Sequence, residues 1–107
     1  MEESTRAVLA TFEELDAIPR RSKKEERVRE WLIAWADTRG YGHRTDAAGN
    51  LIVKVPATAG RESASTVVLQ GHMDMVCEKR PEVEHDFSKD PIRLVHDGDW
   101  LRADGTT

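Results

Sequence analysis

His72 and Asp74, separated by one residue, are the pair whose types and spacing could do chemistry. A neutral imidazole can ligate a metal through one nitrogen while a carboxylate takes the N–H of the other, fixing tautomer and ring orientation. The pair alone carries little specificity. Zinc needs three or four protein ligands, and a strand-end histidine beside a solvated aspartate is the commoner meaning of His-x-Asp. Cys77, the only cysteine, could ligate or attack, but no Cys/His cluster accompanies it and a structural thiol is the simpler reading. His85-Asp86 could be a second pair, against the simpler reading of a solvated or structural loop histidine. Trp31 and Trp35 could form a ligand platform, but at this spacing they read as large core residues. The connector Arg20-Arg21-Ser22-Lys23-Lys24 could meet a phosphate or an acidic ligand, although a short charge run is usually a solvated face.

These residues need elements to position them. Val67-Val68-Leu69 is a short apolar run rich in β-branched side chains, which predicts a buried strand ending at Gln70-Gly71. His72 and Asp74 would then lie just beyond its carboxyl end, where open α/β sheets place their ligands. Upstream, Val8, Leu9, Phe12 and Leu15 share one face and predict a helix from Ser4 to about Ile18, capped by Ser4 or Thr5 and stopped by Pro19. Ser22 followed by Glu25 has capping-box spacing, which predicts a second helix from Ser22 to about Arg39 with Gly40 just past its end. Val28, Trp31, Leu32 and Trp35 form its apolar stripe. Tyr41–Thr45 and Leu51–Val55 flank Asp46-Ala47-Ala48-Gly49-Asn50, the chemistry of a hairpin. Pro56–Ser65 and Glu78–Pro91 read as loops. Ile92–His96 and Trp100–Arg102 flank Asp97-Gly98-Asp99, a second hairpin signal that leaves His96 exposed beside the turn.

The 107 residues suffice for one small domain, which should bury roughly two thirds of its unfolded surface. A net charge of −4 with mixed signs lacks the basic stripe of a nucleic-acid binder. No apolar run approaches the ~18 residues of a membrane span. The polar start Met1-Glu2-Glu3-Ser4-Thr5-Arg6 has no secretory h-region, and a single cysteine fits a reducing cytosol, so a cytoplasmic location is expected.

At Gly71-His72-Met73-Asp74-Met75-Val76 the sequence resembles the N-terminal part of the M20 clan of co-catalytic zinc peptidases. The extension through Cys77-Glu78-Lys79 makes it especially similar to the aminoacyl-histidine dipeptidase branch. Ile18-Pro19-Arg20, Gly49-Asn50-Leu51-Ile52, Val83-Glu84-His85-Asp86-Phe87, Asp97-Gly98-Asp99-Trp100-Leu101 and Ala103-Asp104-Gly105-Thr106-Thr107 are similar to that branch too, so the likeness covers essentially the whole chain. It implies an α/β fold, with residues 1–107 the N-terminal portion of the catalytic domain: two helices followed by a mixed sheet with hairpins, incomplete without the rest of the chain. It implies that His72 ligates one of two divalent metal ions and that Asp74 is the catalytic carboxylate orienting its imidazole. Zinc is the first expectation for the metal, with cobalt or manganese equally suited to such ligands by softness. The implied reaction is metal-assisted hydrolysis of dipeptides, including Xaa-His dipeptides. The substrate is the expected partner, with no nucleic acid or membrane, and a homodimer is the candidate assembly of the full-length protein.

The family continues past Gly-Thr-Thr with a Gly-Ala-Asp-type motif whose aspartate bridges both metals, then a glutamate pair, further ligands and a lid domain. The resemblance therefore implies that residues 1–107 alone are inactive. Two other readings stay open. One is a truncated, non-catalytic product that associates with itself or a partner, since sheet faces left bare expose apolar surface. The other is a different activity of the clan, deacylase or tripeptidase.

Overall fold

A computed structural model describes residues 1–107. Its elements run α1 (Glu3–Asp16), α2 (Glu26–Thr38), β1 (Gly42–Thr45), β2 (Leu51–Lys54), β3 (Leu94–Asp97) and β4 (Trp100–Ala103). Two helices followed by hairpins is the order expected. The strands form two separate two-stranded antiparallel sheets, β1-β2 and β3-β4, and the one parallel pairing is a single bridge between Arg21 and Met75. The chain divides into two compact units, one of Met1–Val28 with Met73–Thr107, the other of Arg29–His72.

In the first unit α1 starts at Glu3, ahead of the expected Ser4 or Thr5 cap, and Glu2 at its N-cap makes no side-chain cap bond. The helix closes on Ala17, whose N–H donates to Glu13 O, and Pro19 follows as the sequence predicts. Leu9 and Leu15 are half-buried, while Val8 and Phe12 of the same stripe stay exposed. The β3-β4 hairpin pairs Asp97 with Trp100 across a two-residue loop. Gly98, first in that loop, has φ 59° while Asp99 keeps a negative φ, the pattern of a type II′ turn that twists with its strands. A further zipper joins Thr107 N–H to Glu78 O at 2.8 Å and Arg80 N–H to Gly105 O at 2.9 Å.

Gly105 is required by that zipper. Its φ is +73°, and a Cβ there would lie 2.5 Å from Val83 Cγ2. Gly105→Ala should therefore cost about 2 kcal/mol from the left-handed backbone and the overlap together. The measurement is the urea midpoint, and adding Val83→Ala should recover the overlap portion. An unchanged midpoint would contradict the close approach.

In the second unit, Gly42–Thr45 pairs with Leu51–Lys54 in register Thr45 to Leu51. Asp46 organises the turn by accepting from the N–H groups of Ala48 and Asn50 and from Asn50 Nδ2, at 2.9–3.0 Å. The Asn50 side chain chiefly holds the Asp46 carboxyl below its ordinary range, helped by these backbone donors. Gly40 at φ 71° follows α2, and Tyr41 N–H returns to Ala36 O at 2.9 Å, the left-handed helix ending that Gly40 predicts. Trp35 packs against Tyr41 at 5.9 Å, and the Arg39 guanidinium lies 4.0 Å over its ring. Trp31 and Trp35 are half-buried, as helix-stripe packing predicts.

The expected strand at Val67-Val68-Leu69 does not form. Val67, Val68 and Leu69 are 80%, 82% and 92% exposed, and no residues pair with them. A buried strand is made by neighbours that take its ladder bonds and cover its faces, and residues 1–107 place none there. Val28 and Ala36 are the buried apolar residues. The accessible surface is 8649 Å², where a folded 12.1 kDa monomer exposes about 6,000 Å². The chain thus buries about half of its unfolded surface rather than the roughly two thirds expected at this length.

Candidate functional site

The Met73–Met75 segment is fixed from below by the connector that leaves α1. Arg20 O accepts from Met75 N–H at 2.8 Å, and Arg21 bridges Met75 in parallel. Arg20 does not face solvent as a member of a charge run. Its Nη2 donates to Asp16 Oδ1 at 3.0 Å, and its Nη1 reaches Met73 O at 3.4 Å. Asp16, on the polar side of α1 by sequence, is 4% exposed. Burial pushes its carboxyl above the ordinary range, against the opposing hydrogen bond and charge of Arg20.

Asp74 lies half-buried on this support. Ser22 Oγ donates to Asp74 Oδ2 at 2.5 Å. This overturns the expected capping box, because α2 begins four residues later at Glu26 and Ser22 caps nothing. Residues 21–24 form a turn closed by Lys24 N–H to Arg21 O at 2.9 Å, with Lys23 at φ 68°. Glu25 Oε1 accepts from Lys23 N–H at 2.7 Å instead of returning to Ser22. The capping spacing was legible, but a carboxylate 52 residues away takes the hydroxyl, and local spacing carries no trace of it.

His72 is solvent-exposed and ends the second unit. Gly71 before it has open space around its Cα and no positive φ. No three His, Cys, Asp or Glu side chains converge as a metal-binding group. A catalytic zinc takes three protein ligands, so these donors could supply part of a centre and not a whole one.

The other candidates have local contacts of their own. Cys77 is half-buried, its Sγ 3.7 Å from Met75 O. The His85 ring packs edge-on to Phe87 at 4.5 Å. Asp86 organises the next turn, accepting from Ser88 Oγ at 2.6 Å and Ser88 N–H at 2.9 Å. The Ser88 hydroxyl is the first cause of the lowered pKa of Asp86. His96 is exposed, 3.9 Å from Glu13. Of the basic connector, Arg21 and Lys24 line an open cavity with Pro19, Arg27 and Phe87.

No family model matches the chain. It is 44% identical over 96 residues to the cytosol non-specific dipeptidase of Escherichia coli (strain K12), an alignment covering 90% of this chain and 20% of that protein. The crystal structure of aminoacylhistidine dipeptidase from Vibrio alginolyticus superposes with a TM-score of 0.84 at 42% identity, covering 88% of this chain and 19% of that one. Over the segment it shares with them the chain is a homologue of these dipeptidases, and it spans about a fifth of their length.

Proposed function

We propose that residues 1–107 are the N-terminal portion of the catalytic domain of an M20-type metallodipeptidase, and that the full-length protein hydrolyses dipeptides, Xaa-His among them. The observation that carries this reading is 44% identity across nine tenths of the chain to a dipeptidase, with Met73–Met75 seated at a supported backbone. By this reading His72 is a metal ligand and Asp74 the carboxylate that orients its imidazole and raises its basicity. When bound, a pair of divalent ions, zinc first and cobalt or manganese as alternatives, supplies Lewis-acid polarisation of the scissile carbonyl and an activated water. The residues of this chain hold and orient: Arg20 and the 21–24 turn fix Met73–Met75, and Asp74 presents its carboxylate from that rigid base. A cytoplasmic site of action and a homodimer belong to the same proposal.

The test is dipeptide hydrolysis with added zinc or manganese. The full-length protein should hydrolyse Xaa-His dipeptides and lose the activity to a chelator, while residues 1–107 alone should show none. Chelator-insensitive hydrolysis would take the assignment out of the clan, and preference for acylated amino acids or tripeptides would move it elsewhere within the clan. The exposure of Val67–Leu69 favours a second reading of residues 1–107 by themselves, a non-catalytic piece that associates with itself or a partner. Sedimentation showing a cooperatively folded monomer would remove it.

A further inference from the structure

We infer that Ser22 is a positioning residue for the metal site: its hydroxyl anchors one oxygen of Asp74 so that the other is held for the imidazole of His72. The inference rests on the ligand and orienter roles proposed above.

An ionised carboxylate accepts through two oxygens, and its terminal torsion is broad and soft. An Asp that must aim one oxygen at an imidazole N–H therefore gains from having the other oxygen fixed. The Ser22 bond to Asp74 Oδ2 does this at 2.5 Å, within the range of a short O–H···O⁻ contact.

Ser22 is itself placed by several independent contacts. Arg20 O and Met75 N–H set the height of the connector against the Met73–Met75 segment, and the Arg21–Met75 bridge sets its register. The 21–24 turn then points Ser22 back at Asp74, and Lys23 takes φ 68° to close it. Left-handed backbone at a residue other than glycine persists where surroundings over-determine it, and such strain gathers at functional sites. A helix cap would explain the serine equally well, but α2 begins at Glu26.

An isosteric pair of variants in the full-length protein tests this. Ser22→Thr keeps a hydroxyl, while Ser22→Val has the same shape without one. Zinc affinity is read by competition with a chromogenic chelator, and ligand geometry by the visible spectrum of the cobalt-substituted protein. Ser22→Val should weaken zinc binding about tenfold, the low end for loss of an outer-shell partner, and alter the cobalt spectrum. Ser22→Thr should stay within about twofold of wild type. Equal affinities and spectra for the two variants would overturn the inference. So would a Ser22→Val protein that fails to fold while Ser22→Thr folds, since the bond would then be structural. A wild-type protein that binds no zinc and cleaves no dipeptide would instead overturn the functional reading, and this inference with it. A competent wild type with indistinguishable variants overturns this inference alone.

Discussion

Replacing His72 by alanine in the full-length protein should abolish metal-dependent dipeptide hydrolysis, by about three orders of magnitude or more, or ~4 kcal/mol of transition-state stabilisation. A metal that polarises a carbonyl and activates water contributes several kcal/mol, and by the proposed reading His72→Ala removes one of its few ligands and forfeits most of that. In residues 1–107 His72 is exposed, and substitutions at exposed positions usually stay within about 0.5 kcal/mol, so metal-free residues 1–107 should keep their urea midpoint in the variant. Loss of bound zinc from the full-length protein, counted by elemental analysis, should accompany the loss of rate. Full activity in His72→Ala would remove the residue from the ligand set. Lost activity with full metal content would assign it a role toward substrate instead.

Structure that is decided locally is legible in the sequence. Asp46-Ala47-Ala48-Gly49-Asn50 and Asp97-Gly98-Asp99 specify their hairpins because turn chemistry needs only its own residues, and both form. Gly40 ends α2 for the same reason. Failures arose where a partner distant in sequence decides. Val67–Leu69 has the composition of a buried strand, but burial is conferred by neighbours, and its side chains lie in solvent. Ser22 has the spacing of a cap, but Asp74 takes its hydroxyl. Arg20 belongs to a charge run that reads as solvated, yet it pairs with the buried Asp16 and its side chain is only 15% exposed. At the candidate site the motif was legible and its support was not. His-x-Asp is a one-residue spacing, whereas the base beneath Asp74 is assembled from residues more than fifty positions upstream.

That base gives the second large effect. Asp16→Ala should destabilise the folded protein by about 3 kcal/mol, the low end for breaking a buried ion pair by removing one partner. Net pair strength does not set the cost, because burying both charges offsets much of their attraction. The cost arises because Arg20, whose side chain is 15% exposed, would be left without its carboxylate. Asp16→Asn keeps an acceptor oxygen for the guanidinium and should cost less, about 1–2 kcal/mol. Urea titrations of the full-length variants check this order, and an Asp16→Ala protein as stable as wild type would show that the pair contributes nothing. The pH dependence carries a sign of its own. Burial raises the Asp16 carboxyl above its ordinary value, so the folded state binds this proton more tightly than the unfolded state. Its contribution is fully present below the ordinary carboxylate range and is lost as pH rises through the raised value. Asp16→Asn should remove that part of the slope, from the ordinary carboxylate value up through the raised one. The same substitution should leave the Ser22–Asp74 bond in place while loosening Arg20 from Met73 O. A weaker metal site in Asp16→Asn would then report the support beneath the segment, separately from the hydroxyl that aims Asp74.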